Sequence, residues 1–188
     1  MDTSKNTISR EFANKNAAEA AAFVRSLTTE SERAAVVLGA AKLDSLLELL
    51  LKRSLLPSPG GKDDLFDTER PLGTFSAKIT VAYRMGLIDK DFEYSLQVVR
   101  KIRNSFAHSI ENETLSKSSH HDRLFEVTKI LSEYEGIQLM APTMAQEKSS
   151  ISKDFATFCG VLTVLVIGLS IAAHISEPVK PTRTFKLR

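Results

Sequence analysis

Tryptophan is missing from this chain of 188 residues, tyrosine occurs three times, and the single cysteine is Cys159. No intrachain disulfide can form, so packing and polar contacts alone hold the fold. The lack of Trp and scarcity of Tyr also weaken the case for sheet, because strands favour aromatic and β-branched residues. Charge of one sign is not in excess: 25 Lys and Arg stand against 23 Asp and Glu, a formal net charge of +2. Bulk electrostatics is thereby excluded as a reason to bind nucleic acid, and any basic surface must be local. The chain does not open with a charged segment, a short apolar core and a small-residue cleavage site, so the first 150 residues are expected to be cytoplasmic.

Chemical signatures are equally thin. GxGxxG, the phosphate-binding P-loop, paired CxxC, GxSxG and HExxH do not occur, which argues against nucleotide-cofactor, zinc and serine-hydrolase chemistry. A helix-turn-helix, zinc-finger or ribbon signature is missing as well, so direct reading of DNA is not expected. His120 and His121 are adjacent and would point about 100° apart on a helix, a poor shared metal site. They are expected at a solvated loop or helix start, and neither metal nor cofactor is expected.

What is present is helix-forming sequence. The chain is 43% hydrophobic and rich in Leu, Ala, Lys and Glu, with no sheet-like alternation, and its length suits one compact domain. The expectation is an all-α bundle of five to six helices over residues 13–175. Residues 1–12 are expected to be loose, and 176–188 to form a basic tail. Residues 17–27 form a first helix, and Thr28, Thr29 and Ser31 offer caps for a long second one. Its stripe runs through Val36, Ala40, Leu43, Leu47 and Leu51 and stops before Pro57. A loop rich in Gly and Pro follows, then a helix capped by Thr74 and closed by Gly86, and another capped by Asp89. The chain turns over 109–119, and Leu124, Val127, Ile130 and Leu131 share the face of a fifth helix.

Residues 155–175 carry no Asp, Glu, Lys or Arg, and at about 1.5 Å per residue they match a bilayer core of roughly 30 Å. Two readings fit. A core helix is favoured because Thr157, Thr163, Ser170 and His174 dilute the run and interfacial Trp and Tyr are missing. The alternative is a C-terminal anchor in the inner membrane, with Lys180, Arg183, Lys186 and Arg188 among cytoplasmic headgroups. Cys159 is a small buried hydrophobe under either reading.

The stretch RKIRNSFAH, residues 100–108, carries the candidate site. With Phe92 at zero on a helical wheel, Leu96, Val99, Ile102 and Phe106 fall within about 80° of it. Arg103 lands at about 20°, inside the apolar stripe. A buried guanidinium stays charged and needs an acid, a carbonyl or a phosphate. The internal candidates are Asp44 and then Glu48, so a buried Arg103–Asp44 pair fixing the helix packing is expected ahead of a catalytic arginine. Asn104 and His108 stack one turn apart on one face. A forked guanidinium, an orienting amide and a titratable imidazole together suit phosphate chemistry, with Arg100 and Lys101 as further candidate phosphate contacts.

LDSLLELLLKRSLL, LFDTERPLGTFSAKITVAYRMGLI and LQVVRKIRNSFAH resemble, in order and spacing, the mannitol operon repressor family of bacterial helical proteins. The likeness is strongest over 34–108. That family is in turn similar to HEPN domains, helical modules that commonly dimerise and many of which are metal-independent ribonucleases. Their pattern of an arginine, a polar residue directly after it and a later histidine is matched by Arg103, Asn104 and His108. The resemblance implies that His108 acts as general acid or base on a ribose 2′-hydroxyl while Arg103 steadies the phosphate, with two copies meeting across a dimer interface.

Two function classes follow. The first expectation is a non-enzymatic, dimeric regulator of transcription working through protein contacts, since no DNA-reading element is found. The second is a HEPN-type endoribonuclease, which needs His108 exposed beside Arg103 in a basic groove, as a regulator does not. A membrane-tethered form of either, through 155–175, is the third.

Overall fold

The computed structural model describes residues 9–109, 113–134 and 151–180. Residues 1–8, Pro142 and the tail residues Arg183, Lys186 and Arg188 lie outside them. Six helices and no strand are found among the described residues: α1 (Arg10–Leu27), α2 (Glu32–Ser54), α3 (Phe75–Arg84), α4 (Lys90–His108), α5 (Ser118–Leu131) and α6 (Lys153–Ile175). The fold is an all-α bundle.

Local chemistry sets most helix starts. The side chains of Ser9, Ser31, Thr74, Asp89 and Ser152 each accept a hydrogen bond from the backbone N–H three residues on, satisfying a donor the first turn would leave orphaned. Helix α1 begins at Arg10 because Ser9 caps it, so residues 10–12 belong to the helix and not to a loose leader. Beyond α3, Gly86 has φ 69°, a left-handed conformation that suits glycine and ends the helix.

Helix α6 runs through the middle. It packs on α2, α1 and α5 and touches α4, and none of its residues from 157 to 173 is exposed. Among the described residues it is the one helix long and apolar enough to cross a membrane, and half of its most apolar stretch is buried, with Phe158, Leu162, Leu165 and Leu169 fully buried. Cys159 is buried with them, and burial pushes its thiol up to about 11. After α6 the chain turns back onto α2, where the Val179 N–H donates to Ser54 O at 3.0 Å and the Arg53 guanidinium donates to Ala173 O at 3.0 Å.

Close approach of α2 and α6 depends on Gly39, where a Cβ would stand 2.5 Å from Leu162 Cδ1. Likewise, a Cβ on Gly168 would stand 2.6 Å from the Phe92 ring. A branched side chain at position 39 must separate the helices or push Leu162 off its rotamer. Gly39→Val is expected to lower stability by about 1–3 kcal/mol, and a urea denaturation midpoint equal to the wild type's would show that the crossing adapts.

Candidate active site

The loop before α3 brings that helix's first turn against α2 and α4. Gly73 sits where a Cβ would be 2.4 Å from the Asp67 carbonyl oxygen, and the Leu72 and Gly73 N–H groups donate to Leu65 O and Arg70 O. Between the three helices lies a cleft of about 420 Å³. Ala40, Ala41 and Asp44 of α2 form one wall, Thr74 and Ser76 another, and Arg100, Arg103 and Asn104 of α4 the third. Alanines on α2 and the bare Gly73 leave the space open.

Arg103 is exposed and donates to Asn104 Oδ1 at 3.0 Å. It does not pair with Asp44 or Glu48, which corrects the expected Arg103–Asp44 ion pair. Toward the C-terminal half of α4 the buried residues are Val98, Val99, Ile102 and Phe106, an arc centred about 85° away from Arg103. Arg103 therefore stands at the rim of the stripe.

The cation that binds both acids is Lys78 of α3, whose side chain is 3% exposed. Its Nζ lies 3.1 Å from Asp44 Oδ1 and 2.9 Å from Glu48 Oε2, and Lys52 reaches Glu48 Oε1 at 2.7 Å. Hydrogen bonds from Lys52 and Lys78 hold the Glu48 carboxyl below the usual carboxylate range. At Asp44 the contact is an ion pair without hydrogen-bond alignment, since Oδ1 has no hydrogen-bond partner. Two acids and two ammonium groups thus balance locally, and the charge of Arg100 and Arg103 is left for the cleft. Arg100 Nε donates to Gln97 Oε1 at 2.8 Å, so neither arginine is engaged by a carboxylate among the described residues. Lys101 is exposed and does not line the cleft.

His108 is exposed at the last position of α4, one turn beyond Asn104. The turn that carries it is held from two sides. From α2, the Arg33 guanidinium donates to Phe106 O and to Ser109 O. Opposite, Ser105 Oγ donates to Glu113 Oε1 at 3.0 Å, and His120 Nε2 meets the same oxygen at 2.6 Å. His120 is 1% exposed, which corrects its expected solvated position. His121 is exposed, with Nδ1 2.7 Å from Asp154 Oδ1 at the start of α6. The hydrogen bond from His120, with others from Ser105 and Lys117, lowers the Glu113 carboxyl to about 2 despite burial.

Lys78, Ser105, Glu113 and His120 are the residues the sequence reading missed. Lys78 was findable: Phe75, Lys78, Ile79 and Ala82 follow the i, i+3, i+4, i+7 pattern of a buried face. The Glu113–His120 contact carries no such signal, because it spans the turn before α5.

Lys78→Ala leaves Asp44 without its cation and Glu48 with Lys52 alone, both acids being about a third exposed, so it is expected to cost about 1–3 kcal/mol, whereas Arg103→Ala should stay within about 0.5 kcal/mol of wild type. Chemical denaturation of both variants checks this, and a reversed order would return Arg103 to a structural role. A lowered carboxyl contributes stability that is fully present above its unfolded value of about 4.3 and fades as pH falls toward its folded value. Between pH 4.5 and 2 the wild type should therefore lose stability more steeply than Glu113→Gln, read from denaturation midpoints against pH; parallel curves would contradict it. Comparison of the chain with protein-family models, with curated proteins and with solved structures gives no match.

Proposed function

We propose that this chain is a HEPN-like RNA-handling domain that cuts RNA without a metal at the C-terminal half of α4. The observation that carries the reading is the state of Arg103, exposed and bonded to Asn104 while Lys78 takes the structural pairing. Arg100 and Arg103 supply donors for phosphate in the cleft, and the exposed His108 supplies an imidazole as general acid or base. His108 removes the proton of a ribose 2′-hydroxyl, and that oxygen attacks the neighbouring phosphorus. The bond to the 5′-oxygen breaks, the leaving oxygen takes up a proton, and a 2′,3′-cyclic phosphate remains. Arg103 balances the charge that builds on the phosphoryl oxygens. Asn104, its Oδ1 engaged by Arg103, keeps its amide N–H groups for the substrate. His108 does not line the cleft and lies about 7.5 Å farther along the α4 axis than Arg103 and about 140° round it, so the proposal has a homodimer meet on this face to bring the His108 of one copy toward the Arg103 of the other.

The proposal takes α6 as a helix of the bundle, a reading supported by its packing on α1, α2 and α5, and takes the domain as cytoplasmic; the alternative is a form tethered through α6. A second reading, regulation of transcription through protein contacts, is favoured by Val37, Leu38 and Leu49, large apolar side chains exposed on α2.

Incubation of a mixed RNA with full-length protein in EDTA distinguishes the two. Wild type should yield fragments ending in 2′,3′-cyclic phosphate. His108→Ala, shown folded by circular dichroism, should lose roughly 10²–10⁴-fold in rate. A folded wild type inert toward RNA would sink the ribonuclease and leave the regulator.

A further inference from the structure

We infer that Glu113 is a positioning residue for His108, acting through Ser105 and the last turn of α4. The inference rests on the reading of α4 as a ribonuclease site. The terminal turn of a helix leaves carbonyls without intrahelical partners and frays readily. Here the turn is tied on both sides. Arg33 holds the Phe106 and Ser109 carbonyls from α2, and neighbouring Glu32 accepts from the Leu115 N–H at 2.8 Å. Glu113 holds the hydroxyl of Ser105 from the far side, with its own side chain only 5% exposed.

Burying a carboxylate is an expensive way to secure a helix end, because its desolvation must be offset by hydrogen bonds. Glu113 collects three: from Ser105 and from the His120 ring on Oε1, and from Lys117 on Oε2 at 3.2 Å. His120 Nδ1 meanwhile is buried with no hydrogen-bond partner, so the bond to Glu113 sets the ring's orientation at the expense of its other nitrogen. The arrangement fixes one thing in particular. Ser105 follows Asn104 directly and stands one turn before His108, so whatever orients Ser105 orients the segment between the cleft and the imidazole. Acid–base transfer needs that imidazole within hydrogen-bond reach of its proton, and a displacement of about 1 Å can cost on the order of 10²-fold in rate.

Ser105→Ala removes the α4 side of the tie while leaving the Glu113–His120 contact in place, and Ser105→Thr restores a hydroxyl. The two are compared with wild type, as full chains, by steady-state RNA cleavage and by NMR of the His108 imidazole. The alanine variant should lower kcat by roughly 10- to 100-fold with KM unchanged and shift the His108 signals, and the threonine variant should recover both. Full kcat and unmoved His108 signals in the alanine variant would overturn the inference, as would an equal loss in alanine and threonine variants. Should wild type fail to cut RNA, the ribonuclease reading falls on that result alone, and the His108 signals decide the positioning role independently.

Discussion

A buried ammonium that must neutralise two carboxylates constrains the site more than any other interaction. Lys78 is brought under α2 by the one face of α3 that is otherwise apolar, and it meets Asp44 and Glu48 there. Charges taken out of water need partners of the right sign and geometry, or the element carrying them moves until they find some. Lys78 thereby fixes where α3 lies on α2, and the position of α3 decides that its first turn faces α4 across open space. The same pairing answers the charge of Asp44 and Glu48, so Arg103 has no structural obligation and stands in the cleft. Packing and candidate chemistry are thus linked through a residue that belongs to neither the apolar core nor the RKIRNSFAH stretch.

Around that constraint the bundle is assembled on α6. Its length and lack of charge satisfy two environments equally well, a bilayer and a helical core, because both reward an apolar surface all round. Small residues decide how tightly neighbours can approach: Gly39 lets α2 close on Leu162, and Gly168 admits the Phe92 ring of α4. On the opposite side of α2, Ala40 and Ala41 face the cleft. One helix therefore uses small side chains on one face to make a close crossing and on another to leave room.

Much of the local structure was legible in the residues. The caps at Ser31, Thr74 and Asp89, the stop at Gly86 and the apolar stripes of α2, α4 and α5 follow from contacts between positions three or four apart. The wheel failed at Arg103 for a geometric reason. It treats an apolar stripe as straight and uniformly covered, whereas the covered arc of α4 drifts along the helix and α2, with Ala40 and Ala41 on the cleft wall, leaves space opposite the arginine. His120 was misplaced because its partner Glu113 lies across a turn, and nothing in adjacent histidines tells which of them the tertiary fold will cover.

The sequence by itself determined the helices, their caps, the all-α class and the grouping of Arg103, Asn104 and His108 on one segment, since each of these depends on neighbours within about one turn. Only the tertiary structure decided which cation pairs with Asp44 and Glu48, that Arg103 and Arg100 open onto a cleft, and that Glu113 and Arg33 hold the end of α4. Those outcomes depend on how distant helices share a limited buried space, where a charge goes to whichever partner arrives with the better geometry, and one-dimensional periodicity carries no information about that competition.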